Sequence, residues 1–161
     1  MKRLLIGKII GFIGLILFVM GLSYIVTSYL EKDKYEDINL LITFEDTKYF
    51  ELENTSFLEK DEVIKTYPYI FEIENKGKSS VNYQIEITDL EISNLTREDL
   101  NYILMLDSEE VKTGTLSEID NNILYSFKIK SKNNEKYKLY IYLNKEKEDV
   151  SYKYSLEVKA L

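Results

Sequence analysis

The sequence predicts an all-β protein, an antiparallel two-sheet sandwich of immunoglobulin-like or jelly-roll type, preceded by one N-terminal transmembrane helix. Three observations carry this expectation. Residues 9–30 form a run of 22 residues without a charge. From residue 38 onward, apolar residues alternate with polar ones, the period of strands with one buried face. The 161-residue length suits one domain plus an appendage.

The N-terminal element comes first. Lys2, Arg3 and Lys8 flank the apolar run, and no further charge occurs before Glu31. By the positive-inside rule the N-terminus stays in the cytoplasm and the C-terminal bulk lies outside. A secretory signal core spans only ~7–15 residues before a small-residue cleavage site, whereas a spanning helix needs ~20. The run has the longer length, and no Ala precedes Ala160 to build an A-x-A site. Residues 1–30 therefore read as a cytoplasmic tip and retained anchor, with a cleaved signal as the alternative. Tyr24 and Tyr29 fall at its outer end, where interfacial aromatics belong. Gly7, Gly11, Gly14, Gly21 and Ser28 form a stripe of small residues on such a helix, a candidate surface for packing against another membrane helix. The other reading is that Gly is simply common in membrane helices.

Residues 31–37, EKDKYED, form a charged stalk, and residues 38–161 the sandwich. Leu40, Ile42 and Phe44 share one face, as do Tyr69, Phe71 and Ile73, and then Val81, Tyr83, Ile85 and Ile87. The NKGKSS segment between the last two strands has the chemistry of a hairpin loop. Further alternation places Ile123, Tyr125, Phe127 and Ile129 inward, then Tyr137, Leu139, Ile141 and Leu143, and finally Val150, Tyr152, Tyr154, Leu156 and Val158. Weaker strands are expected at 49–53, 63–65, 102–106 and 111–116. Thr96 three residues before Asp99 is a variant capping box and predicts one short helical turn. Seven to nine strands fit a sandwich, with a barrel as the alternative.

Charge and composition exclude several functions. Residues 1–34 carry five Lys/Arg against two acids, and residues 35–161 carry sixteen against twenty-six, so the outer domain has net charge −10. Such a surface repels phosphates and sets nucleic acid aside as a partner. The chain has no Cys and no His, which removes disulfides, thiolate metal sites, Cys nucleophiles and the commonest general base. No metal site, catalytic constellation or cofactor motif is found, and the acidic pairs Glu109-Glu110 and 146–149 read as solvated turns. Among 14 tyrosines, Tyr140 and Tyr142 lie opposite Leu139 and Ile141 and beside Lys138. They are candidate exposed aromatic binding residues; alternatively, they cover a half-buried sheet face.

The segments NLTREDLNYILMLDSEEVKTGTL, ILYSFKIK, EKYKLYIYLN and YSLEVKAL, with EIENKGKSSVNYQIEI before them, resemble the ectodomains of TasA- and camelysin-type surface proteins of low-GC Gram-positive bacteria. The shared features are the hairpin-like segment, the VKTGTL turn and a late strand in which an aromatic, here Tyr142, follows Leu-x-Ile. The resemblance implies an exported sandwich and, in some members, fibres built by strand donation. Camelysin-type proteins imply a metalloprotease, but a chain without His has no such zinc site. The expected function is thus a non-catalytic sandwich held on the plasma membrane for binding or structural assembly. Its partners would be the membrane, another copy, or another surface protein. The alternative is a secreted, signal-cleaved matrix or fibre subunit.

Overall fold

The computed structural model describes residues 16–27, 39–45, 49–53 and 57–161. The chain divides into two units, Met1–Asp37 and Ile38–Leu161. Within the first, 16–27 form a helix, α1, in which the Thr27 hydroxyl donates to the Ser23 carbonyl at 2.8 Å. Among the described residues no helix is long and apolar enough to cross a membrane. The expected anchor otherwise falls on residues outside the described ones, as does the charged stalk.

The second unit is mostly strand. Its elements are β1 (Leu40–Phe44), β2 (Tyr49–Glu53), α2 (Lys60–Val63), β3 (Tyr69–Asn75), β4 (Val81–Ser93), β5 (Leu100–Leu106), β6 (Glu109–Thr115), β7 (Ile123–Ile129), β8 (Asn134–Leu143) and β9 (Ser151–Ala160), with short 3-10 turns before β5 and between β6 and β7. The strands form two antiparallel sheets, β1-β3-β8-β5-β6 and β2-β9-β4-β7. Four pairings are nested: β2 with β9, β3 with β8, β4 with β7, and β5 with β6, as if one long hairpin had been rolled across two layers.

The alternation read from the sequence becomes the core. Phe71, Ile73, Tyr83, Ile85, Ile87, Tyr137, Tyr152 and Tyr154 are fully buried in one cluster between the sheets. Alternate residues of a strand face opposite sides, so each strand contributes every second residue. Phe71 stacks on Tyr137 with centroids 5.2 Å apart. The buried phenols need acceptors, and carboxylates supply them. Tyr83 and Tyr137 donate to Glu135 Oε2 at 2.5 and 2.9 Å and also touch each other. Tyr152 donates to Asp89 at 2.6 Å, and Asp89 is gripped from its other side by Arg97 Nε at 2.6 Å and Nη2 at 3.0 Å. Burial, reinforced by the Glu135 and Asp89 carboxylates, drives the ionisation of Tyr83 and Tyr152 far above the usual phenol range.

Three expectations are corrected. NKGKSS is not a hairpin loop, because β3 and β4 belong to different sheets. Its first residue, the buried Asn75, uses its side chain to tie the crossing together: Nδ2 donates to the carbonyls of Ser79 and Lys130, and Oδ1 accepts from the Gly77 N–H. In β7 the register against β4 shifts between Ile85 and Glu86, so Leu124 turns inward in place of Ile123; Phe127 keeps the inward phase opposite Tyr83 but, on the edge strand of its sheet, is left exposed and stacked on Tyr125. A bulge reverses the face of every residue beyond it, which simple alternation misses. The strand expected at 63–65 is instead the end of α2, favoured by the reciprocal Glu59/Glu62 capping box and by acids in its first turn.

The capping box at Thr96 does form one 3-10 turn, Arg97–Asp99. Asp99 accepts from the Thr96 N–H at 2.8 Å and lies 2.7 Å from both Lys145 and Lys147. The two ammonium groups hold its carboxyl well below the usual carboxylate range. A depressed folded-state pKa gives stability that is complete above the unfolded value and lost as pH falls toward the folded one. The stability gap between wild type and Asp99→Asn, measured by urea unfolding, is expected to be full at neutral pH and to narrow below about pH 4. Phe71→Ala opens a cavity beside Tyr137 and is expected to cost about 3–5 kcal/mol in the same assay.

Candidate ligand groove

The outer face of β8 is not open. Tyr140 is 7% exposed and packs with Ile103 and Val63 in a second apolar cluster, joined by Leu58, Met105 and Tyr142. Residues 57–67, which connect β2 to β3 and include α2, supply Leu58 and Val63 as its cover. The Tyr140 hydroxyl donates to the Ile64 carbonyl at 3.4 Å, and burial raises its ionisation. The expectation of two exposed aromatics is therefore corrected for Tyr140, because the β2–β3 connection lies over it. Tyr142 is half-buried.

Cover and sheet do not meet everywhere. A groove of about 480 Å³ runs between Phe50, Glu51 and Leu52 of β2, Leu58, Val63, Thr66 and Tyr67 of the connection, and Leu139–Tyr142 of β8. Its lining is aromatic and aliphatic apart from Glu51, Thr66 and the phenol groups. Tyr67, 78% exposed, stands at its mouth. Behind Phe50 lies a ring cluster: Phe50 approaches Tyr154 at 5.3 Å and Tyr69 at 5.7 Å. Burial pushes the Tyr69 phenol up to about 12.

The groove exists because β3 starts late. β3 and β8 pair from Tyr69↔Leu139 to Glu74↔Asn134. Continuing the same register would place Pro68 opposite Tyr140 and Tyr67 opposite Ile141. Pro68 is the only proline in the chain; it has no N–H and disfavours the ladder. The chain leaves the sheet there, and β8 runs on for four residues, Tyr140 to Leu143, held on the β5 side alone.

The other residues singled out from sequence are scattered. Of the small-residue stripe, Gly21 lies in α1 with nothing within 4 Å of where a Cβ would sit; Gly7, Gly11, Gly14 and Ser28 lie outside the described residues. Glu110 faces Lys60 at 2.8 Å, an ion pair between α2 and β6. Among the described residues no three acids converge as a metal site. Sequence reading missed Phe50, Leu52, Leu58 and Val63 as site residues. The signal available was Pro68, placed one residue before a strand whose partner is longer.

No family model and no curated protein matches the chain. Among solved structures it is similar to the pre-peptidase C-terminal domain of a collagenase from Bacillus anthracis, at 18% identity over 68% of this chain and 88% of that one, with a TM-score of 0.34. It is also similar to accessory secretory protein 1, 2 and 3 in Streptococcus pneumoniae, at 10% identity over 77% and 92%, TM-score 0.35. A third is the ASH/PapD-like domain 7 of human CEP192, at 17% identity over 71% and 73%, TM-score 0.27.

The Tyr154 hydroxyl, fully buried behind Phe50, has no hydrogen-bond partner among the described residues. Removing an unsatisfied buried hydroxyl is neutral or favourable, whereas removing a satisfied one strands its acceptor. Tyr154→Phe is expected to leave stability unchanged or raise it by about 1 kcal/mol, and Tyr152→Phe to lower it by about 1–3 kcal/mol, both read by chemical denaturation.

Proposed function

We propose that this chain is a single-pass membrane-anchored surface protein whose sandwich is non-catalytic and works by binding, with the groove beside β8 as its contact site. The observation that carries the reading is the groove's lining. It offers one carboxylate, Glu51, half-committed to Lys153 at 3.5 Å, among aromatic and aliphatic side chains. General acid–base chemistry needs groups that exchange protons near neutral pH, and burial moves Tyr140 away from that range. An apolar, aromatic slot with few polar groups is the usual make-up of a binding site.

Of the two sandwich types expected, the nested pairing of β2–β9, β3–β8, β4–β7 and β5–β6 supports the jelly-roll form. The anchor rests on the uncharged run at 9–30, its basic flank and the acidity of the remainder. Kinship with TasA- and camelysin-type surface proteins belongs to the same proposal and rests on the sequence motifs alone.

Fractionation of the native host, with N-terminal sequencing of the product, tests the setting. Full-length protein in the membrane pellet is the expected result. A product in the medium shortened by about 25–30 residues overturns the anchor and favours the secreted fibre subunit.

A further inference from the structure

We infer that the groove is an acceptor slot for an extended peptide of a partner protein, apolar at its centre and basic at its ends, which adds as a strand to the free edge of β8. This rests on the groove being a binding site and names what it binds.

The direction of the backbone groups follows from the ladders. The Asn75 N–H donates to the Asn133 carbonyl at 2.9 Å, so in the β3–β8 ladder the odd-numbered β8 residues are those that exchange hydrogen bonds with β3. The Asn144 N–H donates to the Asp99 carbonyl at 3.0 Å, so the even-numbered ones bond toward β5. Both ladders agree. Leu139 is the last residue with a β3 partner, and the N–H and C=O of Ile141 and Leu143 point to the side that β3 has left. Among the described residues neither has a backbone partner there. Ile141 lines the groove, with its side chain packed in the core between the sheets.

An unpaired peptide edge beside an apolar slot is complementary to an extended backbone, which supplies both hydrogen bonds and alternating side chains. Directly opposed residues on antiparallel strands point to the same face. The peptide residue facing Ile141 would therefore turn inward, toward Phe50 and Leu52. Its two neighbours, facing Tyr140 and Tyr142, would turn outward toward Leu58 and Val63. The free stretch, four residues, spans roughly 13 Å, enough for a short strand.

Charge selects the ends of the peptide. Glu51 lines the slot, and the connection above it carries Glu59, Asp61 and Glu62 against Lys60 and Lys65, with Lys60 already held by Glu110. The outer domain as a whole has net charge −10. Acidic segments are repelled and basic ones drawn in.

The test uses the full chain and a pool of short capped peptides that alternate apolar residues with threonine between terminal lysines. Amide hydrogen exchange is read residue by residue. The expected result is saturable binding, with exchange at Ile141 and Leu143 slowed by about tenfold or more while the amides of Tyr140 and Tyr142 are unchanged. N-methylating the central peptide residue should weaken binding by about tenfold, the worth of a lost hydrogen bond. Leu58→Lys, on the half-buried rim of the slot, should weaken it without altering exchange at the core residue Leu104. Equal binding by the methylated pool would overturn the strand but leave the groove as a side-chain site. Absence of saturable binding, or protection at Ile141 through self-association that the peptides do not displace, overturns the proposed partner.

Discussion

Burying tyrosine is the constraint on which the sandwich depends. The chain has no Trp and no disulfide, and its largest fully buried side chains include Tyr83, Tyr137, Tyr152 and Tyr154. Each ring removes about 150–250 Å² from water, worth roughly 4–6 kcal/mol, while an unpaired phenol costs about 1–3 kcal/mol. The ring wins even at Tyr154, whose hydroxyl finds no partner among the described residues. Elsewhere the cost is offset by two carboxylates placed for the purpose. Glu135 serves Tyr83 and Tyr137, joining the two sheets, and Asp89 serves Tyr152 while holding Arg97. A charged acceptor makes a stronger hydrogen bond than a neutral one, and two phenols sharing Glu135 keep its charge solvated inside the fold.

The alternating strands were legible because period two survives in any sequence with one buried face. Tyr69, Phe71 and Ile73, or Tyr137, Leu139, Ile141 and Leu143, needed no tertiary information. What could not be read was which strands pair. The NKGKSS loop carries turn residues, yet the same chemistry serves a crossing between sheets, and only the distant Lys130 carbonyl on Asn75 distinguishes the two. Bulges were equally silent: the extra residue near Leu124 turns it inward in place of Ile123, although the spacing says the reverse. Tyr140 illustrates a third limit, since a residue on the polar side of one sheet can still be buried by a connection that arrives from the other.

The groove is a by-product of how two strands of unequal length are made to meet. β8 needs ten residues to span from β3 to β5, whereas β3 begins only after Pro68. A chain that avoids proline everywhere else places one at the point where continued pairing would have sealed the edge. The connection that precedes Pro68 covers Tyr140 with α2 but gives Ile141 no strand partner on the β3 side. Edges of this kind are usually blunted by charge or by a bulge, and the acidic α2 beside this one limits its access to unrelated chains.

The nested order of pairing also sets the sequence in which the protein can assemble itself. Only β5 and β6 are joined by a tight connection, with Asp107 in the left-handed region at its turn. Every other pairing brings together segments separated by intervening strands, so each carries a larger loop-closure entropy than the one inside it. The innermost pair is the natural nucleus, β4 with β7 and β3 with β8 close around it in turn, and β2 with β9 is the outermost. High contact order of this type makes for slow folding, and it leaves the C-terminal strand, which completes the sheet against β2 and β4, as the last to be secured.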